Sequence, residues 1–182
     1  MSLKKCVLIT NGSGGCGKDT LAKIMGKYIN VQKISSIDTI KKIVNPYTVE
    51  FTNIHGKDEK YRKLLSDVKQ AFIAFNDLPT KKMEEEVLSF LDNKEAQILI
   101  VDIREPEEIE KFKSIFPFGC VMCKTILLIN NNVSAIHSNP SDDNVTNYAY
   151  DYLLDNSYTL ELLEDSVITL LQDLGLDCEK DE

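Results

Sequence analysis

The chain is poor in the residues from which metal cages, disulfide frameworks and nucleic-acid surfaces are built. It holds two histidines, His55 and His137, and five cysteines at spacings that give no framework. Cys120 and Cys123 make one C-x-x-C, but no second pair completes a zinc site, and they read as small residues beside a buried strand. Arginine is as scarce as histidine: Arg62 and Arg104 stand against nineteen lysines. No apolar run approaches the ~20 residues that span a bilayer. Met1 to Thr10 carries two lysines and a short apolar run, yet a polar, glycine-rich segment follows at once instead of a small-residue cleavage site. These features exclude a membrane role and set a cytoplasmic address as the expectation.

Charge narrows the partners further. The net charge is −8, and twelve of the 29 acidic residues lie in 140–182 beside a single lysine. An acidic chain without a basic stripe is a poor nucleic-acid binder. The last residues, Asp177 to Glu182, read as a solvated acidic end. A length of 182 residues suits one domain over 1–182 with a well-buried core.

Hydrophobic patterning supplies the architecture. Cys6 to Thr10, Val31 to Ser35, Ile98 to Val101, Thr125 to Ile129 and Tyr152 to Leu154 read as strands; the continuous apolar run at Ile98 marks a strand buried on both faces. Helical spacing follows Lys18, again through Ile40 and Ile43, and over 58–76, where Tyr61, Leu64, Leu65, Val68, Phe72 and Phe75 form a stripe. A further helix starts near Thr80 and runs to Leu91, another spans Glu105 to Phe116 with Pro106 in its first turn, and the last covers Leu160 to Leu174. Residues 47–56 and 130–144 read as loops. Strands alternating with helices predict an open parallel α/β sheet covered on both faces, with ligands at the carboxyl ends of its strands.

Three signals fall at those ends. Gly12-Ser13-Gly14-Gly15-Cys16-Gly17-Lys18-Asp19-Thr20 fits G-x-x-x-x-G-K, with Asp19 where Ser or Thr usually stands. Glycines let backbone N–H groups converge on a phosphate, the following helix adds its positive dipole end, and Lys18 reaches the β and γ phosphates. Thr20 or Asp19 would hold magnesium. Gly12, Gly14 and Gly17 also satisfy G-x-G-x-x-G with Asp38 some way on, as a dinucleotide site requires. Lys18 directly after the last glycine, and the long stretch between the second and third strands, favour the triphosphate.

Asp102 ends the third strand, where a carboxylate positions magnesium. Its other reading is a cap for the helix near Pro106. Arg104 lies where that strand delivers side chains, and a guanidinium grips phosphate with two parallel hydrogen bonds. Arg62, on the amphipathic helix, is a phosphate contact or a surface ion pair. Asp38 either accepts the proton of an attacking hydroxyl, orients the acceptor, or caps a helix; Lys41, one turn later, would neutralise an acceptor phosphate. Lys69 is a further basic candidate on the 58–76 helix. No Asn-Lys-x-Asp sequence marks a guanine-specific switch.

The G-K-D-T ending of the loop resembles the P-loop kinases for nucleotides, in particular the deoxynucleoside monophosphate kinase and phosphomevalonate kinase group. Ser35 to Lys41 is similar to that group's acceptor segment, Val101 to Arg104 to its third-strand end, and Tyr150 to Asn156 to its fifth strand. The resemblance implies a three-layer P-loop fold with a five-stranded parallel sheet ordered 2-3-1-4-5. It also implies ATP and magnesium at Gly12–Thr20, an acceptor-binding insertion at about 38–95, and a lid at about 130–144. The reaction would be γ-phosphoryl transfer to a small phosphorylated acceptor. One departure stands out. Residues 130–144 contain no Arg or Lys, only His137, whereas lids of this kind supply arginines to the transferring group. Lys18 and Arg104 carrying that charge alone, a slow enzyme, and a nucleotide-binding regulator without catalysis all remain open on sequence.

Overall fold

A computed structural model describes residues 4–48, 59–116, 121–133 and 145–176. His55, Cys120, His137, most of the expected lid and the acidic end lie outside them. The first strand, β1 (Cys6–Asn11), is buried along its whole length and forms the centre of a five-stranded sheet. The other strands are β2 (Val31–Ser35), β3 (Ile98–Asp102), β4 (Met122–Ile129) and β5 (Tyr152–Asp155). All pairings are parallel, in the order β2-β3-β1-β4-β5. The expected strand order holds.

Alternation along each strand divides the core. Cys6 and Leu8 of β1, with Ile98, Ile100, Ile126 and Leu128, face α1 (Lys18–Met25) and α6 (Leu160–Asp173), which bring Leu21, Met25, Leu163, Val167 and Leu171. Val7 and Ile9, with Leu99 and Val101, face the opposite layer. There α4 (Leu78–Asp92) supplies Met83, Val87 and Phe90, and α5 (Pro106–Lys113) supplies Ile109 and Phe112. Each buried side chain of this size is worth roughly 1.5–3 kcal/mol relative to exposure. A third, smaller cluster joins Ile40 and Val44 of α2 (Asp38–Val44) to Tyr61 and Leu65 of α3 (Glu59–Asn76).

Two boundaries and one apolar stripe depart from the sequence pattern. β4 begins at Met122 because Met122, Cys123 and Lys124 pair with Cys6, Val7 and Leu8, although their half-buried side chains break the apolar run. α4 begins at Leu78 and follows α3 almost without a link. Asp77 turns the chain with φ 56°, and the Thr80 hydroxyl donates back to its carboxylate at 2.8 Å, so Thr80 sits within the helix. The α3 stripe is only partly used. Tyr61 and Leu65 are buried, while Phe75 is 82% exposed.

At the lower edge of the sheet, Asp151 stitches β4 to β5. Its carboxylate accepts from the Thr125 amide and hydroxyl, both at 2.8 Å, and the Thr125 hydroxyl in turn accepts from the Asp151 amide. Thr125 is 1% exposed, so its amide and hydroxyl depend on the Asp151 carboxylate for their partner. Asp151→Ala is expected to destabilise the fold by about 1–3 kcal/mol, read as a lower urea midpoint at unchanged slope.

Candidate functional site

The chain leaves β1 into the glycine loop with an abrupt turn. Gly12 has φ 148°, and a Cβ there would collide with the Leu128 carbonyl oxygen and stand 2.6 Å from Cys16 Sγ. Gly17, with φ 106°, precedes α1, and a Cβ there would meet the Asn156 side-chain amide. The loop thus passes too close to neighbouring strands for any side chain at either position.

Polar side chains hold its backbone. Asn11, fully buried, accepts from the Gly12 amide at 2.8 Å and donates to the Arg104 carbonyl at 2.8 Å and the Tyr150 hydroxyl at 2.7 Å. Asn156, beyond β5, donates to the Cys16 carbonyl at 2.9 Å. Lys18 curls over the loop and donates to the Gly12 carbonyl at 2.8 Å. The Gly12 and Cys16 amides are bound within the protein, and the other N–H groups of the loop and the first turn of α1 are left to face an anion.

A cleft of about 850 Å³ opens beside the loop. Gly14 to Thr20 line one wall; Asp38, Lys41, Tyr61, Arg62, Lys69, Asp102 and Arg104 line the others. The residues singled out by sequence therefore gather around one cavity, with Gly12 and Ser13 completing the loop behind it. Three of them have partners that bear on their roles. Asp38 is bound into its own turn, accepting from the Ser35 amide at 2.8 Å, and its other oxygen faces Lys41 at 3.6 Å. Lys69 is 5% exposed and its ammonium is committed to Glu108 at 2.7 Å, Glu105 at 3.3 Å and the Ser36 hydroxyl at 3.2 Å. It neutralises carboxylates under the cleft floor in place of the basic ligand contact expected of it. Arg62 reaches the loop itself: a Cβ built on Gly14 would lie 3.4 Å from its Nη2.

Lys33 is the residue the sequence does not flag. From β2 its ammonium pairs with Asp102 at 3.0 Å and with Asp19. The Thr10 hydroxyl donates to the other oxygen of Asp102. The hydrogen bond and charge of Lys33 hold the Asp19 carboxyl below its usual range. Burial works against the charge on Lys33, but Asp102 and Asp19 outweigh it and raise its pKa above the ordinary lysine value. Asp19 and Asp102 thus converge on one cation. Magnesium takes oxygen ligands and is usually held by one or two carboxylates together with substrate phosphates, so this donor pair, with the Thr20 hydroxyl on the cleft wall, fits it.

In sequence the chain stands apart: no family model matches it, and no curated protein does. Solved structures match nearly its full length. The APS kinase of Mycobacterium tuberculosis, in complex with AMPPNP and APS, is 10% identical with a TM-score of 0.51 over 93% of this chain and 98% of that one. The dephospho-CoA kinase of Campylobacter jejuni is 15% identical, with a TM-score of 0.52 over 94% and 98%. The tunicamycin resistance protein of Deinococcus radiodurans is 10% identical, with a TM-score of 0.53 over 96% and 98%. At such identities the likeness establishes the fold, which is that of the P-loop kinases.

Two measurements probe the charges. Lys33→Met leaves Asp19 and Asp102 without their shared cation, and magnesium titrated without nucleotide is expected to bind the variant roughly tenfold more tightly than wild type. Glu108 offers a pH test. Burial pushes its carboxyl up to about 7, with Lys69 opposing and Glu105 reinforcing the shift. A carboxyl raised in the folded state favours folding while protonated, and that contribution fades as pH rises through about 7. Glu108→Gln should match wild-type stability at pH 5 and exceed it at pH 8 by roughly 1–3 kcal/mol, measured by urea unfolding at both values.

Proposed function

We propose that this protein is an ATP-dependent phosphotransferase that moves the γ-phosphoryl group to a small phosphorylated acceptor, a (deoxy)nucleoside monophosphate or a molecule of similar size. The carrying observation is the shared cleft, with a phosphate loop on one wall and Lys41, Arg62 and Arg104 facing it from the others. The donor triphosphate lies in the Gly12–Thr20 loop, and Lys18 exchanges the Gly12 carbonyl for the β and γ phosphates. Magnesium, held by Asp102 with Asp19 and Thr20, would neutralise charge between those phosphates. Arg104 grips the acceptor phosphate, assisted by Lys41, and the tether from Asn11 to the Arg104 backbone ties that grip to the loop.

The state of Asp38 favours a phosphate over a hydroxyl as acceptor. A hydroxyl needs a base, and this carboxylate already serves the Ser35 amide and Lys41. An acceptor phosphate is ionised at neutral pH and needs none. Asp38 is then a positioning residue that shapes the β2–α2 turn. Residues 38–95 form the acceptor side and 130–144 the lid of a single domain working in the cytoplasm. The absence of Arg and Lys from 130–144 supports a second reading, a nucleotide-binding regulator without turnover.

A magnesium-dependent transfer assay with ATP against a panel of nucleoside and deoxynucleoside monophosphates separates the two. One acceptor is expected to turn over, with Arg104→Ala reducing kcat/KM by about a hundredfold or more. Lys18→Ala is expected to lose tight ATP binding while its circular dichroism stays unchanged. Tight ATP binding with no transfer to any acceptor would favour the regulator.

A further inference from the structure

We propose that Arg62 contacts the phosphoryl group in transit, bringing from α3 the positive charge that segment 130–144 lacks. This assignment rests on the phosphotransfer reading above, and it moves Arg62 from the acceptor's phosphate to the group being transferred.

The geometry comes first. A Cβ built on Gly14 would lie 3.4 Å from Nη2 and 3.5 Å from Nη1 of Arg62, so the guanidinium sits beside the loop with about one carbon's width between them. Arg62 is anchored on the acceptor side of the cleft, on α3, yet its head lies on the donor loop. The phosphoryl group must cross between those two walls, and Arg62 spans the same gap.

The second observation is electrostatic. Arg62 is half-buried, and among the described residues it has no ion-pair or hydrogen-bond partner. The other cations around the cleft are engaged: Lys18 by the loop, Lys33 by two aspartates, Lys41 by Asp38, Lys69 by two glutamates. Five N–H donors held beside a phosphate loop without an acceptor call for an anion. The pose is also fixed from behind. Tyr61, the preceding residue, is buried against α2 and hydrogen-bonds Asn45 through its hydroxyl, while Leu65 packs in the same cluster. These contacts set the rotation of α3 that aims Arg62 at the loop.

The chemistry fits an arginine that exchanges no proton. An oxygen of the acceptor phosphate forms a bond to the γ phosphorus as the bond from that phosphorus to the bridging oxygen breaks. ADP departs with the electron pair. Charge gathers on the three equatorial oxygens during the crossing, and a guanidinium at the boundary stabilises it there more than in ATP or in product.

The test uses the full chain and needs no knowledge of the acceptor. Calorimetric titration with ADP, with ATP, and with ADP plus aluminium fluoride, all in magnesium, is run on wild type, Arg62→Ala and Arg62→Lys. Arg62→Ala is expected to leave ADP affinity unchanged, to weaken ATP slightly, and to weaken the aluminium fluoride complex most, by about tenfold or more. Arg62→Lys, which keeps the charge but not the planar fork, should recover only part of that loss. Equal weakening of all three ligands, or of none, would overturn the assignment, and Arg62→Lys alone decides it if the alanine variant does not fold. Wild type failing to bind ATP at all would sink the phosphotransfer reading and this inference together; wild type binding ATP with Arg62→Ala unchanged would remove only Arg62.

Discussion

Asn11 and Asn156 hold the phosphate loop in shape, and the rest of the site is arranged around that hold. A loop that turns its amides toward an anion turns its carbonyls away, and those carbonyls need partners inside the protein. Asn156 caps the Cys16 carbonyl from the end of β5, and Lys18 caps that of Gly12. Asn11 accepts from the Gly12 amide and reaches the backbone of Arg104 with the same side chain. The loop after the central strand is thereby tied to the third strand on one side and the fifth on the other. Parallel pairing sets the spacing of those ends, so the register of the sheet becomes the geometry of the cleft.

Much of this is legible in the amino-acid sequence, for identifiable reasons. β1 and β3 are continuous apolar runs because both faces are covered, and the glycine loop has few alternatives because its backbone torsions and close approaches demand glycine. Asp102 and Arg104 stand out because they end a buried strand. The parts that stay hidden are those whose meaning depends on a distant partner. Lys33 is one lysine among nineteen on a half-buried strand, and only the fold brings Asp19 and Asp102 to it. Lys69 looks like a free cation on a helix until α5 places Glu105 and Glu108 beside it. Asn11 and Asn156 carry no charge, and their hydrogen bonds cannot be inferred from spacing. The onset of β4 is hidden because its half-buried Lys124 interrupts the apolar pattern.

The electrostatics of the cleft divide by depth. At the floor, two lysines face four carboxylates: Lys69 sits between two glutamates, and Lys33 between Asp102 and the exposed Asp19. Buried charge is costly unless paired, and the buried Lys69 is paired twice over. Nearer the opening, Arg62 and Arg104 face the space a ligand would fill. The chain as a whole is acidic, yet the surface lining this cavity offers an anion more positive groups than the surrounding protein does.

The near-absence of a link between α3 and α4 has a mechanical consequence. α4 is bolted to the sheet by Met83, Val87 and Phe90, whereas α3 has no apolar contact in that core and is held by Tyr61 and Leu65 against α2, by Lys69 through Glu105 and Glu108, and by α4 itself. Two contiguous helices therefore belong to regions of unequal local stability, divided at Asp77. Opening α3 exposes far less apolar surface than opening α4, so its amides will exchange with solvent from a shallower free-energy state. The guanidinium nearest the phosphate loop rides on the more loosely held of the two. Readiness of the site is then a property of how often one marginal helix is docked, and a bound anion that Arg62 reaches would act as the clasp that keeps it closed.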